Sequence, residues 1–333
     1  MVLCIRVPKE QGESVRNRLV SSDLLNLEAR IGQDGDHLLI PILSDSFEGY
    51  ETVNAELEAT ERRETDYRNL ANVPEELKGA LPSSFDVIGD IAIVKIPDEL
   101  ISCADTIGDA LLKATPSIRS VMLDRGVKGE FRVRDVTPIS GSGRTETIHK
   151  EFGVTMAVDP GKVYFNPRLS TERMRIALMV KDGETVIDMF AGVAPFSLVI
   201  SKHSKASVIY AVDVNGDAVE YMERNIKMNK ASNIVPICGD AREVIKGLPP
   251  ADRIIMNLPH MADSFLSDAL ANLRKGGTAH VHKIMDRDGA EEMMSDLIFN
   301  MKKAGHDMHV ENVAELKTYS PSMSVYVLDV VKE

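Results

Sequence analysis

Cysteine is scarce in this chain. The three present, Cys4, Cys103 and Cys238, lie far apart and never adopt a CxxC spacing. Neither a zinc knuckle nor a disulfide framework is therefore expected, and the three read as small core residues of a protein in a reducing compartment. Long apolar runs are missing too. No stretch approaches the ~18 residues a membrane helix needs, and the opening MVLCIRVPKE has neither the charged start nor the apolar centre of a secretory leader. A cytoplasmic protein is expected. Two nucleotide fingerprints are absent: neither GxGxxG nor GxxxxGKS occurs, which argues against the pyrophosphate grips of dinucleotide enzymes and P-loop proteins. No cluster has metal-ligand spacing, so no metal is expected, and no internal repeat or low-complexity tract is present.

Positive charge is in short supply overall. Lys and Arg number 39 against 51 Asp and Glu, a formal net of −12, which opposes indiscriminate binding of nucleic acid. The deficit is uneven. From Lys113 to Arg175, 12 basic residues stand against 7 acidic ones, a net of +5, and the remainder carries −17. One basic stretch in an acidic chain reads as a confined footprint for a polyanion, beside the plainer reading of a solvated charged surface.

What is there fits two or three globular domains: 333 residues, 44% hydrophobic and 27% charged. Residues 1–45 hold LCIRVP, GESVRNRLVSS and HLLIPIL, which read as strand, helix and strand of a small α/β module. Residues 46–66 are acidic and poorly periodic and read as a linker. Residues 67–165 read as a basic α+β domain. FDVIGDIAIVKIP gives two strands turning at Gly89 and Asp90, ELISCADTIGDALLKA a helix, and GEFRVRDVTPIS and TETIHKEFGVTMAVD further strands. Alternation of Glu130, Arg132 and Arg134 against Phe131 and Val133 places both arginines on one strand face. From 166 to 333 apolar strands alternate with amphipathic helices, the pattern of a doubly wound, mostly parallel α/β sheet of Rossmann type. The tail, HDMHVENVAELKTYSPSMSVYVLDVVKE, carries two strand-like runs with no helix between, which fits an antiparallel hairpin at the sheet edge.

The ends of the strands in this last region are unusual. Asp188, Asp213, Asp240 and Asn257 follow four successive apolar runs. In an open α/β sheet ligands sit at the carboxyl ends of strands. Each of them alone reads more readily as a helix N-cap. The series together suits a ligand with an amine, a ribose and an adenine amine, with Asp213 on ribose hydroxyls and Asp240 on the adenine amine. Without a pyrophosphate motif, a nucleoside lacking phosphates is the better candidate, and S-adenosylmethionine fits. Gly192, in VIDMFAGVAPFSL, allows a turn that brings backbone N–H groups to it.

DMFAGVAPFSL, AVDVN, GDAREV and NLPH resemble the consecutive motifs of a class I S-adenosylmethionine methyltransferase. With GEFRVRDV, TIHKEFG and VYFNPRLSTERMRI upstream, the chain resembles the archaeal and eukaryotic tRNA (guanine-37 N1)-methyltransferases over residues 125–330, and the N-terminal layout is similar to the archaeal three-domain members. It departs at Ala194, where many members have glycine. The resemblance implies methyl transfer to N1 of guanosine 37. It makes Glu172 the base that removes the N1 proton, Arg132 the group opposite the developing charge on O6, and Asn257 and Pro259 the placers of guanine and cofactor. Arg173, Asp188, Phe190, Gly192, Asp213, Val214, Asp240, Ala241 and Asn257 are the implied cofactor contacts. Arg132, Arg134, His149, Lys150 and Arg168 are the implied tRNA contacts. The expected partner is tRNA, held at the anticodon stem-loop and again through the N-terminal module, by a monomer. The alternative implied activities are aminocarboxypropyl transfer and dual methylation, of guanosine and of a tricyclic guanosine derivative.

Overall fold

The computed structural model describes residues 1–60, 64–129 and 131–333. The chain divides into two compact units, Met1–Asp66 and Tyr67–Glu333.

In the first unit the strand Val2–Pro8 is central, pairing antiparallel with His37–Pro41 on one side and Glu51–Ala55 on the other. Gly32–Asp34 extends the sheet beyond His37–Pro41. The helix Gly12–Ser21 turns Val15 and Leu19 into a core with Ile5, Val7, Ile40 and Phe47. Glu51–Ala55 corrects the expected linker. The acidic segment supplies an edge strand, and Ala59 bridges to Ala29. An edge strand needs one half-buried face and a hydrogen-bond ladder, not a run of apolar residues, so its acidic composition disguised it. Residues 61–63 of that segment lie outside the described residues.

The second unit contains two sheets and a separate hairpin around a continuous interior. Asp86–Ile88, Ile91–Val94, Ser120–Lys128 and Val133–Gly141 form one sheet in that order, covered by the helix Ala104–Ala114, which buries Ile107, Ala110 and Leu111. The larger sheet has the order Ile234–Cys238, Val208–Asp213, Thr185–Asp188, Ala251–Met256, Leu273–Asp286, Met323–Lys332, Met308–Thr318. Its first five strands are parallel and the last two antiparallel, so the expected hairpin is present at the edge. Ile187, Ile254, Ile255, Ala279 and Val281 are fully buried, as helices on both faces of a parallel sheet require. Strand order reverses between Thr185–Asp188 and Ala251–Met256, and a crevice opens at such a switch point.

Two expectations change here. The hairpin Thr147–Glu151/Val154–Val158 buries Val154, Met156 and Val158 in one core with Val186, Ile209 and Phe196, and with Ile91 and Met122 of the smaller sheet. No boundary falls at 165/166. Asn225 fastens that hairpin: its Oδ1 accepts from the Ala157 N–H (2.7 Å), and its Nδ2 donates to the carbonyls of Ala157 (3.1 Å) and Val193 (3.2 Å). Nor do Arg132 and Arg134 share a strand face. Arg132 precedes the strand Val133–Gly141, in a turn, with left-handed backbone (φ 52°) and its N–H on the Gly129 carbonyl. Glu130 lies outside the described residues.

Candidate active site

The carboxyl ends of the central parallel strands open into a cavity of about 490 Å³ with two chemically different walls. On the first, Phe190, Val214, Ala241, Leu258 and Phe265 give an apolar slot bordered by Asp213 and Asp240. Phe190 and Phe265 meet edge to face at 5.0 Å. The loop after Asp188 reaches this wall through Gly192, which has φ +56°. Asp213 ties the loop down: its Oδ2 accepts from the Gly192 N–H (2.7 Å) and its Oδ1 from the Asn215 N–H (2.9 Å). Burial pushes the Asp213 carboxyl up, against those backbone hydrogen bonds. Asp240 accepts from the Arg242 N–H (2.8 Å) and so caps the helix Ala241–Lys246 while bordering the cavity.

The opposite wall is cationic. Arg132, Arg134, Arg168 and Lys317 line it, with Asp86 and Asp124. Asp86 accepts from Arg134 (2.6 Å) and Arg168 (2.7 Å). Burial pushes Asp86 up, but these two guanidinium groups outweigh it and hold the carboxyl below its ordinary range. Between the walls runs the turn Asn257–His260. It is fixed to the neighbouring strand, because the Pro259 carbonyl accepts from the Ile284 N–H (3.2 Å). A core strand ends in an amide and a proline for this reason: the strand stops at Met256, and the stiffened turn presents Asn257 to the cavity.

An apolar slot bordered by acids and a cationic face in one cavity suit a class I methyltransferase acting on a polyanion, and similarity to known proteins points the same way. Residues 147–313 match the TRM5/TYW2 methyltransferase domain, 68–145 the TYW2 N-terminal domain, and 4–51 the tRNA methyltransferase 5 N-terminal domain. The chain is 46% identical over 284 residues to the tRNA (guanine(37)-N(1))-methyltransferase Trm5b of Pyrococcus abyssi, covering 85% of this chain and 84% of that one. The chain belongs to the TRM5/TYW2 methyltransferase family. Two solved structures share its fold at 34% identity: the complex of aTrm5 and tRNALeu, at a TM-score of 0.72 over 99% of this chain and 100% of that one, and Methanocaldococcus jannaschii Trm5 in complex with adenosine, at 0.68 over 99% of each.

Within this member of the TRM5/TYW2 family the cavity gathers Arg132, Arg134, Arg168, Phe190, Gly192, Asp213, Val214, Asp240, Ala241, Asn257 and Pro259. Five expected site residues do not line it. Glu172 is 5% exposed, and both its oxygens accept from Arg175 (2.8 Å each). Arg175 also donates to Asp329 (2.7 and 2.9 Å). Burial raises the Glu172 carboxyl, partly opposed by Arg175. Arg173, 1% exposed, is a buried tie: it donates to both oxygens of Glu151 (2.6 Å) and to the Asn166 carbonyl. Asp188 is fully buried beneath the loop, accepting from Ser197 Oγ (2.8 Å), with its Oδ1 unpartnered among the described residues. Burial pushes it up to about 7, and the Asp213 charge adds to that. His149 and Lys150 border a separate groove with Gly89, Arg144 and Arg224. The His149 ring accepts from the Gly89 N–H (3.3 Å) and meets Phe165 edge on. Glu172, Arg173 and Asp188 are turned into the core behind the cavity, while the part-buried His149 and the exposed Lys150 border the separate groove, a placement their motifs alone do not reveal.

Several residues that sequence reasoning missed are on the wall or just under it. Lys317, His260 and Tyr319 line the cavity. His282, two residues before Ile284 on the same strand, is fully buried, with neither ring nitrogen hydrogen-bonded among the described residues and its Nε2 4.0 Å from Glu172 Oε1. Burial lowers it to about 3, so the ring is neutral, and the nearby Met256 backbone raises it only partly. Ala194, the departure noted in the cofactor loop, adopts left-handed backbone (φ 67°). A Cβ there costs about 1 kcal/mol or more, and its place at the N-cap of Pro195–His203, with its N–H on the Ala191 carbonyl, holds it so.

Proposed function

We propose that the chain transfers a methyl group from S-adenosylmethionine to N1 of guanosine 37 in tRNA, acting in the cytoplasm as a monomer. One observation carries this reading: a single cavity joins an acid-flanked apolar slot to a cationic face across the Asn257–Pro259 turn. The first wall suits the cofactor. A carboxylate at Asp213 can accept from ribose hydroxyls with the lone pairs its two backbone donors leave free, and Phe190, Val214 and Ala241 offer an apolar sandwich for adenine. S-adenosylmethionine, when bound, supplies an electrophilic methyl group on its sulfonium.

The chain's own residues then prepare the nucleobase. Guanine N1 carries a proton, so its lone pair becomes available only when a base removes it. Glu172 takes that role, since burial has raised its carboxyl toward neutrality. Its oxygens sit on Arg175 in this structure, so a side-chain rotation off that guanidinium precedes proton transfer. Arg132 faces the charge that spreads to O6 as the proton leaves. Asn257 and the fixed Pro259 carbonyl hold the ring without an ordering cost in each cycle. Arg134 and Arg168 take the RNA, and a base flipped from its stack is required to expose the N1 edge. Met1–Asp66 holds a second part of the same tRNA, raising the effective concentration at the site.

The match of residues 68–145 to the TYW2 N-terminal domain keeps a second reading, aminocarboxypropyl transfer from the same cofactor to a tricyclic guanosine derivative. The match of residues 4–51 to the tRNA methyltransferase 5 module favours methyl transfer. Incubation with labelled S-adenosylmethionine and transcripts bearing G or A at position 37, alongside a tRNA carrying the tricyclic derivative there, followed by mass spectrometry of the nucleosides, separates the two. Methylguanosine on the G transcript alone is expected; an aminocarboxypropyl adduct, or equal labelling of both transcripts, overturns the proposal.

A further inference from the structure

Lys317 has no role in the reading above, yet the backbone bends to present it. The strand Met308–Thr318 pairs with Met323–Lys332 so that Glu315 faces Tyr326 while Lys317 faces Val325. Two steps on one strand match one step on the other, which makes Leu316 the extra residue of a bulge. In an even ladder Lys317 would follow Glu315 onto the face where Glu315 accepts from Ser324 Oγ (2.6 Å). The bulge moves Lys317 instead to the face of Val325, and both line the cavity. Bulges commonly re-aim a side chain next to a site.

The charges on that wall do not balance. Four cations, Arg132, Arg134, Arg168 and Lys317, meet two carboxylates, Asp86 and Asp124. Asp86 engages Arg134 and Arg168, and Asp124 engages Arg134. Arg132 and Lys317 have no carboxylate partner among the described residues. Burial, then the Arg168 charge, lowers Lys317, with Asp86 opposing and Arg134 and Arg132 adding to the effect. His260 on the same wall is itself lowered by burial and by Arg132 and Lys317. Like charges gathered without an anion raise the energy of the fold, and a substrate that brings the anion relieves it.

We propose that Lys317 binds a backbone phosphodiester of the RNA adjoining the guanosine in the cavity; this rests on the reading that the guanosine belongs to RNA. Lys317 is half-buried while Thr318 and Tyr319 beside it are exposed, which puts the ammonium at the rim. There the backbone of a nucleotide whose base lies inside must pass. A compact ammonium suits a phosphate as a point charge, whereas the planar guanidinium of Arg132 suits a base edge.

The test uses the full chain and a G37 transcript, with dissociation constants measured over a salt series for wild type, Lys317→Ala and Lys317→Arg. Lys317→Ala should weaken RNA binding several-fold and make the slope of log K against log salt shallower by about 0.7–0.9, with Lys317→Arg close to wild type. Calorimetric affinity for S-adenosylmethionine should not change. A methylphosphonate at the linkage 5′ or 3′ to G37 should weaken wild type at one linkage and leave Lys317→Ala no weaker there. An unchanged salt slope, or an equal methylphosphonate loss in both proteins at both linkages, overturns the proposal. So does a slower single turnover at saturating RNA with unaltered slope, which would assign the ammonium to the base. These are binding readouts, so wild type that binds the transcript without methylating it would refute the proposed reaction and leave the phosphate contact standing.

Discussion

Glu172 shows what one side chain's neighbours decide. It stands in the first turn of Ser170–Met179, where the motif alone favours a capping residue and the family resemblance makes it a base, and the structure buries its carboxylate against the Arg175 guanidinium. Replacing it by glutamine removes the proton acceptor and keeps the shape. Single-turnover methylation should fall by about 10²-fold or more, with tRNA affinity within a few-fold of wild type; a rate that survives Glu172→Gln would disqualify the residue as base. Asp188 offers a pH signature. Its folded value of about 7 lies above the ordinary 3.8, so between those pH values the folded chain keeps a proton that the unfolded chain has released. Stability therefore declines as pH rises from ~4 through ~7 on this account. A neutral amide in place of this carboxyl would imitate the protonated acid. Urea denaturation across that range should show Asp188→Asn gaining on wild type up to pH ~7 and no further above it, and parallel curves would refute the assignment.

At the scale of elements, the βα alternation was readable because each strand is apolar along its length and each helix has one apolar stripe. The edge strand Glu51–Ala55 was not, since its ladder to Val2–Pro8 is made by backbone groups that carry no sequence signal. The bulge at Leu316 was hidden for the same reason. Asn225 is another such case: it reads as an ordinary polar residue of an amphipathic helix, and it is the fully buried clasp between that helix, the hairpin Thr147–Val158 and the loop at Val193. Asn225→Ala leaves three buried backbone groups without partners, so a loss of about 3 kcal/mol is expected in chemical denaturation. A loss under about 0.5 kcal/mol would mean that water replaces the amide at no cost.

For the molecule as a whole, the two compact units predict separable tasks. A chain lacking residues 1–66 should methylate a minimal anticodon stem-loop at a rate near that of the full protein and bind intact tRNA more weakly; total loss of activity on the stem-loop would contradict an auxiliary role for the first unit. The basic stretch from 113 to 175 shows why charge counted along a chain misleads. Arg134, Arg144, Arg168 and Arg175 each pair with an acid from outside that stretch, Asp86, Asp90, Asp86 and Asp329 respectively. Part of the net positive charge is therefore neutralised, and among the described residues the cavity cations without a carboxylate partner are Arg132 and a lysine far downstream. The sequence by itself determined the alternating strands and helices of the sheet and the acids at the strand ends, because periodicity and strand termini are local properties of the chain. Only the tertiary structure decided which cations stay uncompensated, that Glu172 rests on Arg175, and that Lys317 reaches the site, because pairing and register depend on residues distant in sequence meeting in space.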